Sequence, residues 1–248
     1  MADTGRQIIA VADAAEMATM AAERIIARTD ANDGPIAICL SGGSTPKQLY
    51  RLLATDFYRG RIPWDRVHWF IGDERFVSES SDHNNMGVAR RIFLDQFAAA
   101  SNIHPVPTLA ANPDASAERY ARELQSFHGA DVLRHGRPLF DLVLLGAGSD
   151  GHTASLFPGD PALDETARWV VGVPKAHLEP FVPRVTLTLP TLGSCREMLF
   201  EVAGSDKRAI LTRLLNGENL PANRARSSDG KTVWLVDRAA RPEGFRNS

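Results

Sequence analysis

Apolar and polar positions follow two rhythms along the chain, and the switches between them outline an α/β fold. A stripe of Ala14, Met17, Ala18, Ala21 and Ile25 predicts a helix over 13–29. Asp13 and Glu16 stand at capping-box spacing at its start. The apolar run Pro35 to Leu40 predicts a buried strand, and Pro46 to Ala54 a helix. Val67 to Ile71 reads as the next strand, ending at Gly72-Asp73-Glu74-Arg75. A polar stretch, 78–85, precedes a helical run over 86–97, a short strand at 103–106 and a helix over 115–127. Phe140 to Leu145 is the clearest strand, apolar throughout except for Asp141. Further strands are predicted at 169–173, 184–189, 198–203 and 232–236, with a helix at 206–215 between the last two. Strands alternating with helices predict a mostly parallel sheet covered on both faces. No repeat or long linker divides the chain, so one domain over 1–248 is expected, with its core at about 10–237. The segment 217–230 and the last ten residues are polar, with Gly, Pro and Asn, and are expected to be the least ordered.

Composition narrows the function classes. With 248 residues, 44% hydrophobic and 23% charged, the chain has ample length for a core and the balance of a soluble globular protein. A net charge of −2 gives no basis for a nucleic-acid or anionic-membrane partner. There is no signal-peptide h-region and no apolar run approaching 18 residues. The two cysteines, Cys39 and Cys195, form neither a disulfide framework nor a metal-ligand spacing. A cytoplasmic protein without a bound metal is the expectation; the oligomeric state stays open, with a monomer compatible.

Two loops carry the chemistry. Ser41-Gly42-Gly43-Ser44-Thr45-Pro46 joins a strand to a helix start, an arrangement that aims free backbone N–H groups and the positive helix end at one place where an anion can sit. Ser44 or Thr45 is expected at the N-cap and Pro46 at the first helical position. No Gly-Lys-Ser/Thr ending follows, which excludes the nucleotide P-loop. The second loop, Gly148-Ser149-Asp150-Gly151-His152-Thr153-Ala154-Ser155, also leaves a strand's carboxyl end, the edge at which α/β sheets bind ligands. Gly146 to Gly151 matches GxGxxG, but Pro158-Gly159-Asp160-Pro161 cuts short the helix that a dinucleotide site needs. Of seven histidines, His152 is set apart by Asp150 two positions away. A carboxylate there can fix the imidazole tautomer and support the imidazolium formed when it takes a proton. His68, His104, His128, His135 and His177 read as surface or structural residues, and His83 stays open. Ser155 has no GxSxG elbow around it to make it a nucleophile. Only four of the 28 basic side chains are Lys, and Lys175 and Lys207 fall beside site segments. Lys207 and Arg184 both stand where a cation could meet a bound phosphate. Together the loops point to proton-transfer chemistry on a phosphorylated small molecule.

The segments LSGGSTP at 40–46, GDERFV at 72–77, SDHNNMGVARRIFLD at 81–95, GAGSDGHTASLFPG at 146–159, RVTLTLP at 184–190 and GSDK at 204–207 resemble, in order and spacing, those of the 6-phosphogluconolactonase family. The resemblance covers roughly residues 10–237. It implies a Rossmann-like three-layer αβα domain, shared with glucosamine-6-phosphate deaminases and ribose-5-phosphate isomerases. The implied reaction is hydrolysis of 6-phosphoglucono-δ-lactone to 6-phosphogluconate in the oxidative pentose phosphate pathway, with no metal or organic cofactor. By the same resemblance His152 is the general base and Asp150 its orienting partner. Arg75, after Asp73-Glu74, is a charged site residue that stabilises charge on the lactone or touches the phosphate. Gly42, Gly43, Ser44, Thr45, Arg184 and Lys207 hold the sugar phosphate, with Lys175 added from the loop before Arg184. Two rivals remain. A deaminase or isomerase needs more acid–base groups; the related deaminases carry an acid five positions after the loop histidine, where this chain has Phe157, although Asp73 matches their proton-abstracting aspartate. A sugar-phosphate sensor without turnover would usually carry an added DNA-binding helix-turn-helix, for which this chain shows no segment.

Overall fold

The computed structural model describes residues 6–176 and 178–245. Among the described residues nine strands form two sheets. The main sheet contains β1 (Arg6–Val11), β2 (Ile36–Leu40), β3 (Val67–Ile71), β5 (Leu142–Leu145), β8 (Glu197–Val202) and β9 (Lys231–Asp237). Their spatial order is β1-β9-β8-β5-β2-β3, and every pairing is parallel. Both faces of such a sheet need cover, which is why β2, β5 and β8 are buried along their whole lengths. The helix Ala14–Asp30 packs on β1, β2 and β9 and against the helix Thr45–Leu53. Asp13 caps the first of these through Oδ1, accepting from the amides of Ala15 (2.9 Å) and Glu16 (3.0 Å). Phe200 and Trp234, on adjacent strands, stack at 4.1 Å between ring centroids within the core.

The predicted strands at 169–173 and 184–189 exist but do not join the parallel sheet. As β6 (Val170–Val173) and β7 (Arg184–Leu187) they pair antiparallel, and β7 pairs antiparallel with a three-residue strand, β4 (Asp73–Arg75). Local apolar pattern specifies a strand but not its partner; here the helix Pro113–His128 covers β6 and β7. This small sheet positions the site, because its register sets Arg75 directly beside Arg184 and Asp73 beside Thr186.

Other differences are local. The expected strand at 103–106 reduces to a single bridge between Ile103 and Trp69. The helical run after the polar loop contains a π-helical turn at Arg90–Leu94. The segment 217–230 is packed rather than loose: Leu220, Ala222 and Ala225 are buried around a short helix, Pro221–Arg224. Both cysteines are free and buried. Among the described residues no helix is long and apolar enough to cross a membrane.

Candidate active site

Within the main sheet, β2 is followed in the chain by β3 on its outer side, whereas β5, its neighbour on the other side, is followed by β8 farther across the sheet, so the loops leaving β2 and β5 run in opposite directions. At such a switch point the loops leaving the carboxyl ends of the two neighbouring strands diverge and leave a crevice. A cleft of about 260 Å³ lies there. Its lining draws on the turn after β2 (Ser41 to Pro46), on β4 (Asp73, Arg75), on the loop after β5 (Gly146 to Gly148, His152, Ala154, Ser155), on β7 (Arg184) and on the end of β8 with the turn beyond it (Glu201, Lys207).

Of the residues singled out from sequence, Gly42, Gly43, Ser44, Thr45, Asp73, Arg75, His152, Arg184 and Lys207 all line this cleft. Asp150 stands behind His152. Lys175 is exposed just after β6 and is not among the lining residues. His83 lines a smaller adjoining pocket of about 210 Å³ with Lys47 and Arg75. His68, His104, His128 and His135 are not among the cleft residues, and His177 lies outside the described residues.

His152 is held on three sides. Asp150 Oδ1 is 2.6 Å from its Nδ1 and also accepts from its backbone amide at 3.0 Å. A carboxylate only accepts, so Nδ1 carries the hydrogen and Nε2 keeps its lone pair. Partial burial pushes the Asp150 carboxyl up, but the bonds from the His152 ring and amide outweigh that and hold it below the usual carboxylate range. Phe157 packs on the imidazole at 4.9 Å between centroids. Gly148 backs the ring so closely that a Cβ there would sit 2.0 Å from His152 Nδ1. Glycine at 148 is therefore a condition for the histidine's position.

The turn after β2 and two arginines make up another part of the lining. Ser44, just before the helix Thr45–Leu53, has helical backbone angles and its side chain caps nothing. Pro46 is therefore one position further into the helix than the sequence implied, and the helix lacks a side-chain N-cap. Gly42 lies flat against Asn85: an added Cβ would meet Asn85 Oδ1 at 2.2 Å. Asn85 is a functional candidate that sequence reasoning missed as an individual residue. Its Oδ1 accepts from Arg75 Nη1 and its Nδ2 donates to the Asp73 carbonyl at 2.9 Å. Behind it, the buried Glu74 carboxylate accepts from the amides of Asn85 (2.6 Å), Arg75 (2.8 Å) and Met86 (2.9 Å), locking β4 to the helix start at Asn85. Burial pushes the Glu74 carboxyl up to about 7 despite those three bonds.

Arg184 is 4% exposed and gives one hydrogen bond, Nη2 to the Pro180 carbonyl at 2.8 Å. Its Nε and that of Arg75 are buried without a partner, and the two guanidinium groups repel. Burial first, then the Arg75 charge, lowers the Arg184 pKa. Two adjacent cations with unused donors favour negative charge on whatever the cleft binds. Ser155, dismissed as a nucleophile, donates to Asp73 Oδ2 at 2.6 Å and so fixes that carboxylate in the cleft.

The family model for glucosamine-6-phosphate isomerases/6-phosphogluconolactonase matches residues 12–234. The chain belongs to this family of sugar-phosphate enzymes. It is 40% identical over 220 residues to a 6-phosphogluconolactonase of Synechocystis sp., covering 87% of each chain. It is 36% identical over 241 residues to that of Rattus norvegicus, covering 91% of this chain and 87% of the relative. The solved 6-phosphogluconolactonase from Thermotoga maritima superposes with a TM-score of 0.80 at 31% identity, over 94% of this chain and all of that one. A monomeric glucosamine-6-phosphate deaminase superposes equally well, TM-score 0.80, at 19% identity over 94% of this chain and 98% of that one, and shares the fold. The α/β class and the family resemblance read from the motifs both stand.

Proposed function

We propose that this protein hydrolyses 6-phospho-D-glucono-1,5-lactone to 6-phospho-D-gluconate, as the lactonase step of the oxidative pentose phosphate pathway. The observation that carries the reading is the oriented His152–Asp150 pair in the same cleft as an uncapped helix start, Arg184 and Lys207. Phosphate held by the glycine turn, Arg184 and Lys207 fixes the lactone carbonyl near His152, which gives the attack the advantage of a set geometry. His152 Nε2 takes a proton from water as the water oxygen bonds to the carbonyl carbon. Charge on the resulting oxyanion is met by Arg75 and by loop amides. The carbon–oxygen bond of the ring then breaks, the ring oxygen receives the proton from the imidazolium, and neutral imidazole is restored. Asp150 supports the transient imidazolium throughout.

Phe157 favours this reading over amine release, since an aromatic ring rests on the imidazole where the related deaminases have an acid. Asp73 keeps the deaminase alternative testable, because its carboxylate lines the cleft. Freshly prepared 6-phosphogluconolactone and glucosamine 6-phosphate, offered in parallel, separate the readings. Acid release from the first supports the lactonase. Ammonia from the second overturns it, and turnover of neither leaves the sensor reading.

A further inference from the structure

Glu201 breaks the logic of its strand. β8 reads Glu197-Met198-Leu199-Phe200-Glu201-Val202 and every residue in it is buried. Glu197, at the far end, is matched by Arg24, Arg28 and Lys231. Glu201 is 4% exposed, and both of its carboxyl oxygens are buried with no hydrogen-bond partner. A buried polar group without a partner is rare enough to demand a reason.

Its position supplies one. Phe200 pairs with Leu145, the last residue of β5, so Glu201 stands one step beyond it, level with the loop that begins at Gly146. There it lines the cleft with Ser41, Gly42, Gly43, Ser44 and Lys207. From the helix Thr45–Leu53 it is faced by Tyr50, whose hydroxyl donates to the Ser41 carbonyl at 2.5 Å and receives the Ser41 amide at 3.2 Å. The Glu201 charge bears on that hydroxyl. From the turn after its own strand comes Lys207, with its Nζ 3.7 Å from Asp206. Asp73, Arg75, His152, Glu179 and Arg184 are the other charged or titratable groups of the cleft. None of these is bonded to Glu201, and burial alone pushes its carboxyl up to about 8.

We propose that Glu201 is a specificity-determining residue at the phosphate end of the cleft: as a neutral acid it admits a dianionic phosphate ester above the glycine turn, and as a carboxylate it repels one. This rests on reading that end of the cleft as the phosphate site. The sign follows from linkage. A bound dianion favours the protonated acid, so affinity is constant while Glu201 stays neutral and falls as rising pH ionises it. The effect belongs to binding, because Glu201 takes no part in the proton transfers of the mechanism above.

The test measures dissociation constants for inorganic phosphate and for 6-phosphogluconate from pH 6.5 to 9, on the wild-type protein and on Glu201→Gln, which is isosteric and cannot ionise. Between pH 7 and pH 9 the wild-type constants should rise about 10-fold more than those of the variant. A wild-type measurement runs alongside it: calorimetry at pH 8.5 in buffers of different ionisation enthalpy. It should show uptake of about 0.7 proton per 6-phosphogluconate bound, a result that does not depend on the variant folding. Equal pH dependence in the two proteins, or no proton uptake by the wild type, overturns the role of Glu201 while leaving the phosphate site intact. Failure of both ligands to bind either protein at pH 7 overturns the phosphate reading itself, and this inference with it.

Discussion

Replacing Asp150 with Asn changes one charge at the centre of the proposed chemistry and almost nothing in shape. The carboxylate makes two bonds to the same residue, 2.6 Å to the His152 ring and 3.0 Å to its amide. Asn can keep the amide bond through its carbonyl oxygen, so the loop should hold. The carboxylate's support of the imidazolium is lost. A hydrogen bond to a charged group contributes about 1.5–3 kcal/mol, and that support is greatest when His152 has taken its proton. The loss therefore falls on the barrier and should lower kcat by about 10–150-fold. KM for the lactone should stay within about twofold, because Asp150 is not among the proposed phosphate contacts. The assay is the initial rate of acid release from fresh lactone in a weakly buffered indicator solution, corrected for spontaneous hydrolysis, with a urea titration to confirm an unchanged midpoint. A folded Asp150→Asn protein with wild-type kcat refutes the orienting role of the carboxylate.

Other outcomes follow from the same geometry. Gly148→Ala should displace the imidazole, since the new Cβ would overlap it at 2.0 Å, and should cost at least tenfold in kcat with a near-native circular dichroism spectrum; full activity would show that the ring position does not matter. Arg184→Ala and Lys207→Ala should mainly raise KM, as the phosphate is remote from the reacting bond, so a loss confined to kcat would move either residue to the carbonyl. Glu74 imposes a pH dependence on stability. Its carboxyl is raised from 4.5 to about 7 by burial, so its contribution is fully present below the unfolded value and lost as pH rises through the folded one. Between pH 5 and pH 8 it should cost the fold about 2–3 kcal/mol. Urea titrations of wild type and Glu74→Gln should diverge in slope against pH by that amount, and parallel profiles would contradict it.

The outline of the fold was legible because β2 and β5 are apolar runs and β8 and β9 have apolar centres, and because the helix Ala14–Asp30 carries its stripe and cap openly in sequence. β1 was not legible: Arg6–Val11 is half-exposed at the sheet edge, and its place comes from pairing with β9, more than 220 residues away. β4 was hidden for a different reason. Asp73-Glu74-Arg75 reads as a charged rim, yet Glu74 is wholly buried because three backbone amides converge on its carboxylate. That convergence depends on a helix start eleven residues later and leaves no local signal. The cleft was legible from the glycine turn and the Asp150–His152 spacing, since strand ends in a parallel sheet share one edge. Asn85 and Glu201 illustrate the remainder. Asn85 matters through its contact with Gly42, which only the folded chain reveals, whereas Glu201 had a signal that went unused: a carboxylate interrupting an otherwise apolar strand.

Turnover by the His152→Ala protein bears most directly on the proposal that an imidazole activates water in this cleft. With 6-phosphogluconolactone it should retain 6-phosphogluconate binding within about twofold and lose about 10²–10⁴-fold in kcat, the span typical of a missing general base. Undiminished hydrolysis by a well-folded His152→Ala protein would contradict it.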